Sequence, residues 1–165
     1  MLRHFLNPVV YVKLQPDLMT VRDVNSGVEL TEPPLLALVR QPRVHVLGIG
    51  HEASAAAVST GVELVNPFKH PRTLFSDFTV AEKLLKQFLL KVFKNAGNWI
   101  LRPSPTIVLH PLVDPEGGFT QIELRAMQEL GLGAGARKVY IWQGRLLADD
   151  ELKELKFGDG GRLLS

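Results

Sequence analysis

Residues 79–98 read TVAEKLLKQFLLKVFKNAGN, and this stretch decides the fold. Its apolar residues recur at helical spacing and are Ala81, Leu84, Leu85, Phe88, Leu89, Val92 and Phe93. Thr79 and Glu82 have the spacing of a capping box, and Gly97 with Asn98 is expected to end the helix. A helix with one apolar stripe needs a second layer to bury that stripe, and a sheet is the simplest partner.

A second helix is predicted from Thr120 onwards. Thr120 and Glu123 repeat the capping-box spacing, so their side chains are expected to bond each other's backbone N–H groups. Gly131 and Gly133 follow, and they predict the end of this helix near Leu130.

Short runs of β-branched and aromatic residues predict the strands. They are 9–14 (VVYVKL), 19–24 (MTVRDV), 35–40 (LLALVR), 44–49 (VHVLGI), 106–109 (TIVL) and 139–142 (VYIW). Turn residues separate the first four, which are typical of an antiparallel meander. The last two flank a helix, and such a unit crosses over right-handed, so these two strands are expected to be parallel.

The order of elements predicts an α/β fold with a mixed five-stranded sheet, an N-terminal antiparallel meander and flanking helices. We expect a short helix at 51–58, an irregular connection at 61–76 and a mostly polar helix at 149–155. We assign residues 1–157 to one domain and the glycine-rich residues 158–165 to a disordered tail. A length of 165 residues is sufficient for one such domain with its own core.

Composition excludes several classes of function. The sequence has no cysteine, which rules out disulfides, thiolate catalysis and cysteine-bound zinc and fits a reducing compartment. The net charge is only +2, and the basic run from Lys83 to Lys94 follows an apolar helix. We interpret that run as a solvated helix face and expect no nucleic-acid partner. No apolar run approaches the ~18 residues of a membrane span, and no signal peptide is evident, so we expect a cytoplasmic protein.

Six segments, in this order, carry a resemblance to a known family. They are LTEP at 30–33, VLGIGHEA at 46–53, SDFTVAEKLL at 76–85, RPSP at 102–105, IELRA at 122–126 and GAGARKV at 133–139. The series resembles the N-terminal half of MreB, the bacterial rod-shape protein family in the superfamily of actin, Hsp70 chaperones and sugar kinases. The resemblance implies an actin-like (RNase H-like) subdomain with a function in cell shape and cytoskeletal organisation.

The segment 13–19 (KLQPDLM) departs from this family at the first phosphate loop, which reads DLGTxNT in its members. Lys13 stands where the family has the Asp that helps to hold the metal. Gln15 replaces a glycine, Pro16 brings no N–H donor, and Asp17 adds a negative charge. The resemblance therefore implies a degenerate phosphate loop, and we expect no ATP or magnesium cofactor.

The sequence also departs from the family after residues 139–142. There the family continues into an EEPxAAA segment and a second half with a further phosphate loop and the adenosine site. Here Gln143, Gly144 and Arg145 follow, and no DxGGGT string occurs. We expect a non-catalytic actin-fold module that binds MreB-type filaments or other cell-shape proteins. The alternatives are a homodimer and an ATPase half-site completed in trans by another chain.

Three residues are candidates for chemistry. The resemblance aligns Glu123 with the glutamate that positions the attacking water, but its place in a capping box accounts for it in any helix, and we favour that structural role. His110 and Asp114 follow a buried strand at the end where sites gather in α/β sheets. A small enzyme that uses His110, Asp114 and Glu123 is thus a further alternative. The five histidines show no metal-ligand spacing, and we expect no metal site.

The N-terminal residues 1–6 (MLRHFL) form a short apolar segment. MreB-like proteins can carry an amphipathic N-terminal segment that touches the inner membrane, so Leu2, Phe5 and Leu6 are candidate membrane contacts. A segment of about two turns binds a membrane weakly on its own. The alternatives are peripheral contact at the inner membrane and a frayed terminus.

Overall fold

Nine strands and four helices form in the part of the chain that the computed structural model describes, residues 7–97 and 102–165. The strands are β1 (Val9–Leu14), β2 (Met19–Asp23), β3 (Glu29–Glu32), β4 (Leu36–Val39), β5 (His45–Ile49), β6 (Glu63–Val65), β7 (Thr106–Pro111), β8 (Lys138–Gly144) and β9 (Gly161–Leu163). The helices are α1 (His51–Ala56), α2 (Phe78–Asn95), α3 (Gln121–Gly133) and α4 (Asp149–Glu154).

The main sheet has the strand order β3-β2-β1-β7-β8-β9. β1 pairs in parallel with β7, and β7 in parallel with β8, while β2 and β3 pair antiparallel. The five strands β3, β2, β1, β7 and β8 form a mixed sheet of the predicted kind, although β3 is not among the predicted strands. The fold class and the parallel crossover through α3 are confirmed.

A second sheet, with the order β5-β4-β6, corrects the predicted meander. β4 and β5 do not extend the main sheet, because Pro33 and Pro34 follow β3 and have no N–H to continue its ladder. The connection at 61–76, predicted to be irregular, contributes β6, which pairs antiparallel with β4.

The side chains of β1 alternate between two cores. Val10, Val12 and Leu14 pack with the apolar stripes of α2 and α3 on one face of the main sheet. Val9 and Tyr11 point to the other face. A parallel strand that is buried on both faces needs apolar residues at successive positions, as VVYVKL provides.

The C-terminal part of the chain covers that second face. Leu147, Leu152 and Phe157 pack against Tyr11 and Trp142. At the sheet edge, β9 pairs antiparallel with β8. The structure thus places an edge strand where the sequence predicts the disordered tail 158–165, because the edge of β8 offers backbone partners that the sequence pattern does not reveal. The assignment of residues 1–157 to one domain stays a prediction.

Two charged pairs hold the C-terminal part in place. Arg22 on β2 donates two hydrogen bonds to Asp149 at 3.1 and 2.7 Å, and these bonds lower the pKa of that carboxyl. Arg145 after β8 donates to both Glu151 oxygens, and together with the Ala148 N–H it lowers the pKa of Glu151 to about 2.

The start of α2 differs from its prediction. Asp77 is the N-cap, and its Oδ1 accepts from Val80 N–H at 3.1 Å, so Thr79 lies inside the helix. Asp caps as well as Thr does, and its negative charge also suits the positive helix terminus. Glu82 does not reach back to the cap but packs against Gly133 of α3.

The end of α3 also differs from its prediction. The helix continues through Gly131 to Gly133. Gly131 is buried, and a Cβ atom there would lie 2.4 Å from Val139 Cγ2. This glycine therefore allows close packing of the helix on β8 and does not stop the helix.

A buried ion pair joins β2 to the segment that precedes β7. Arg102 Nη2 and Nη1 donate to Asp23 Oδ1 and Oδ2 at 2.6 and 2.9 Å. The two side chains are only 7% and 1% exposed. The Asp23 carboxylate also accepts from Ser26 Oγ at 2.5 Å, and the guanidinium stacks 4.2 Å from the Phe93 ring centroid.

Replacement of Arg102 by alanine is expected to lower the free energy of unfolding by about 3–5 kcal/mol, since it leaves the Asp23 carboxylate buried without its cation. Urea titration followed by circular dichroism measures this loss. Arg137→Ala, at an exposed position, is the control and is expected to change stability by less than about 1 kcal/mol. Equal stability of the two variants would contradict a structural role for the pair.

Candidate functional site

The β1–β2 hairpin, where the family resemblance implies the first phosphate loop, turns over residues 15–18. The Gln15 N–H donates to the Leu18 carbonyl at 2.9 Å, so this donor is used within the turn. Pro16 has no N–H, and Asp17 places a carboxylate at the tip. A phosphate cradle requires several free backbone N–H donors. In this turn the Gln15 N–H is already bonded and Pro16 has none.

A loop between β6 and α2 contacts the hairpin tip. Asn66 Nδ2 donates to the Pro16 carbonyl at 2.8 Å, and Lys69 Nζ lies 3.3 Å from Asp17 Oδ1. Asn66 Oδ1 in turn accepts from Phe68 N–H at 3.0 Å, which orients the amide. The tip therefore has protein partners of its own, and sequence analysis missed them because Asn66 is 50 residues away from Pro16.

Lys13 lies near the carboxyl end of β1, in register with His110 of β7. Its Nζ is 6.0 Å from the centroid of the Tyr11 ring. A cation thus occupies the strand position where the family resemblance implies a metal-anchoring carboxylate.

A cavity of about 480 Å³ opens at the carboxyl ends of β7 and β8. It is lined by His110, Pro111, Leu112, Val113, Asp114, Gln143, Gly144 and Arg162. Gln143 links Asp114 and Arg162, two charged residues of the cavity. Its Nε2 donates to Asp114 Oδ1 at 3.2 Å, and its Oε1 accepts from Arg162 at 3.3 Å. Arg162 belongs to β9 and was missed because the sequence places it in the tail.

His110 is buried and held by two hydrogen bonds. Nε2 lies 3.0 Å from the Gly144 carbonyl, which can only accept, so this nitrogen carries the proton. Nδ1 then accepts from the Tyr11 hydroxyl at 2.6 Å. That hydroxyl accepts in turn from Leu147 N–H at 3.3 Å. Both ring nitrogens of His110 are therefore engaged inside the protein.

The surroundings of His110 favour its neutral form. Burial holds the pKa of the imidazole below its ordinary 6.5, and the nearby Lys13 lowers it further. The hydrogen bond to Gly144 acts in the opposite direction and is the smaller effect relative to burial. Burial likewise raises the pKa of the Tyr11 hydroxyl. The arrangement is that of a neutral, structural histidine at the end of β7.

Glu123 forms the predicted capping box at the start of α3. Its Oε2 accepts from Thr120 N–H at 2.9 Å and from Thr120 Oγ1 at 3.0 Å. Its own N–H donates to Thr120 Oγ1 at 3.2 Å. Glu123 is not among the residues that line the cavity with His110 and Asp114. The structure thus brings His110 and Asp114 together and gives Glu123 a separate place in the helix cap.

Within residues 7–97 and 102–165, no three His, Asp or Glu side chains are grouped so as to hold a metal ion. No helix among the described residues is both long and apolar enough to span a bilayer. The candidate membrane contacts Leu2, Phe5 and Leu6 lie outside the described residues.

The architecture defines the class of protein, because solved structures share it. MreB5 of Spiroplasma citri bound to ADP aligns with a TM-score of 0.61 at 20% identity, over 82% of this chain and 37% of that one. A non-polymerising mutant of MamK bound to AMPPNP aligns with a TM-score of 0.60 at 10% identity, over 82% of this chain and 40% of that one. The fold is that of an actin-like protein.

Sequence comparison then shows the family. The family model described as MreB/Mbl protein matches residues 16–149. The cell shape-determining protein MreB of Haemophilus influenzae is 36% identical over 141 residues, which are 82% of this chain and 34% of that protein. MreB of Escherichia coli is 34% identical over 82% of this chain and 35% of its own length. The chain belongs to the MreB/Mbl family, as the six segments predicted, and spans about a third of the length of these curated relatives.

The free energy of unfolding is expected to fall as the pH drops below about 6.5, the pKa of an unfolded histidine. Below that pH the unfolded chain takes up a proton at His110, which the folded chain accepts only at lower pH because its pKa is depressed. The stabilisation is complete above about pH 6.5 and is lost as the pH falls through the folded pKa. Urea titrations between about pH 8 and pH 5 measure it.

His110→Gln is the test variant, because glutamine can still donate to the Gly144 carbonyl but does not titrate. We expect a smaller dependence of stability on pH between about pH 7 and pH 5 in this variant. His51→Gln, at an exposed position, is the control and is expected to keep the wild-type profile. An unchanged profile in His110→Gln would assign the pH dependence to other groups.

Proposed function

We propose that this chain is a non-catalytic MreB-like module in cell-shape and cytoskeletal organisation that binds MreB-type filaments or their partner proteins. One observation carries the proposal. The family match extends over residues 16–149, yet the hairpin that stands at the first phosphate loop has its tip bonded to other parts of the protein. The chain keeps the actin-like fold, whereas its hairpin at the position of the first phosphate loop differs from the family sequence.

Three features of the hairpin disfavour a bound triphosphate. The Gln15 donor is used by Leu18, and the Pro16 position has no donor. The Asp17 carboxylate at the tip repels phosphate, whereas a phosphate loop presents backbone N–H groups there. Lys13 offers a point charge but no carboxylate to anchor magnesium. We therefore propose that the chain uses no ATP or magnesium.

The candidate catalytic groups support the same proposal. Both nitrogens of His110 are engaged with Tyr11 and Gly144, which leaves neither free for proton transfer. Glu123 accepts two hydrogen bonds from Thr120. These contacts give both residues structural roles, which disfavours a small enzyme and an ATPase completed in trans.

We propose a cytoplasmic location, peripheral to the inner membrane, in keeping with the family resemblance. Relatives that are 34–36% identical to this chain are named cell shape-determining proteins, which supports a role in the same kind of assembly. A homodimer is the alternative partner.

Magnesium ATP is expected to leave the thermal unfolding midpoint of this chain unchanged. A ligand at about 100 times its Kd stabilises a protein by about 2.7 kcal/mol, which a melting curve detects easily. The measurement is differential scanning fluorimetry with and without about 5 mM magnesium ATP, alongside full-length Escherichia coli MreB as the positive control. A reproducible rise of several degrees would contradict the proposed loss of the site.

Filaments of Escherichia coli MreB are expected to carry this chain into the pellet on centrifugation. Binding to a defined surface is saturable, so unlabelled chain should displace labelled chain from the pellet. The chain centrifuged without filaments controls for its own aggregation. If labelled chain stays in the supernatant at every filament concentration tested, direct filament binding is wrong.

A further inference from the structure

The outward side of α2 carries a stripe of lysines around one leucine. Lys83, Lys86, Leu90 and Lys94 are exposed and follow one another at intervals of three or four residues, which places them on one side of the helix. Lys91 stands next to Leu90 and is partly exposed. We call these five residues the lysine face.

Among the described residues, the positive charges of Lys83 and Lys86 are uncompensated, whereas that of Lys91 is paired. Lys91 lies 3.2 Å from a Glu52 oxygen and 4.0 Å from a Glu32 oxygen. Among the residues that the structure describes, no carboxylate lies within ion-pair distance of Lys83 or Lys86. The whole chain has a net charge of only +2, so four lysines within twelve residues are a local concentration of charge.

Two apolar depressions flank Leu90, which is itself 39% exposed. The larger, about 360 Å³, lies between β5 and α2, and its lining includes Val46, Leu47 and Ile49 as well as Glu52, whose carboxylate pairs with Lys91. The smaller, about 160 Å³, lies on the other side of Leu90, and its lining includes Leu89, Phe93, Pro103 and Pro105. Lysines of the face border both depressions.

We propose that the lysine face of α2 is the docking surface for an acidic protein segment whose leucine-sized side chains enter the two depressions. The lysines complement carboxylates, and the depressions have room for apolar anchors that a charge-only contact does not need. This inference rests on the proposed function, because it assigns the surface through which the module holds a partner.

The same observations disfavour two other polyanions. Exposed aromatic side chains, on which nucleic-acid bases stack, are absent from the lysine face. An amphipathic helix that lies on a membrane needs a broad apolar side, and here α2 turns that side to the sheet, leaving Leu90 at 39% and Phe78 at 37% exposure. An acidic, amphipathic protein segment matches both the charge and the depressions.

The test uses the full chain and a fluorescein-labelled synthetic helical peptide of about 18 residues, with leucines along one stripe and glutamates beside them. Fluorescence anisotropy is expected to show saturable binding that weakens as salt is raised from about 0.05 to 0.5 M. A peptide of the same pattern with lysine in place of glutamate is the ligand control and is expected not to bind.

The test variant is Lys83→Glu/Lys86→Glu, and the matched control is Lys153→Glu/Lys156→Glu, which makes the same charge change on and beside α4. The first is expected to bind the acidic peptide about tenfold more weakly, whereas the control changes affinity only slightly. Leu90→Ser is expected to weaken binding without removing its salt dependence, which separates apolar anchoring from charge. Circular dichroism melts confirm that each variant folds.

Several outcomes would overturn the inference: no binding of the acidic peptide to the wild-type chain, equal loss in the control variant, or tighter binding of duplex DNA or phosphatidylglycerol vesicles through the same lysines.

The filament assay separates this inference from the proposed function. If wild type and Lys83→Glu/Lys86→Glu pellet equally with MreB filaments, the proposed function stands and the lysine face is the wrong surface. If neither pellets but the peptide binds as expected, filament binding fails and the docking surface stands.

Discussion

The central strands β1 and β7 are buried on both faces, and the rest of the structure depends on this constraint. All six residues of β7 and five of the six in β1 are buried. Each face therefore needs its own apolar cover. α2 and α3 supply one, and the C-terminal part with Leu147, Leu152 and Phe157 supplies the other. The main sheet therefore has one hydrophobic core on each of its faces.

Two buried polar contacts sit at opposite ends of these strands. Asp23 and Arg102 meet near the amino end of β1 and β7, and Tyr11 and His110 meet toward the carboxyl end. Each joins parts of the chain that are far apart in sequence, and each satisfies polar groups that would be costly if left alone. They fix which strands are neighbours and how the C-terminal cover sits on the sheet. Hence His110, which lines the cavity at the carboxyl end of β7, has a structural role.

The β1–β2 hairpin and the lysine face are held by different contacts. The hairpin tip bonds to Asn66 and Lys69, whereas α2 packs its buried apolar stripe against the sheet. A protein of this family can therefore change one without disturbing the other. The proposed docking surface on α2 therefore does not depend on the hairpin that carries Gln15 and Pro16.

The sequence by itself determined the parallel strands, the apolar stripe of α2, the Thr120–Glu123 capping box and the altered hairpin, because each depends on residues close together in the chain. It indicated the family for the same reason, since the six segments are local strings. Only the tertiary structure decided that β4 and β5 form a separate sheet, that Gly131 lies inside a helix against Val139, and that the tail supplies β9. It alone paired His110 with Tyr11, 99 residues away. Contacts of this kind depend on which surfaces meet after folding, and no local pattern encodes that meeting.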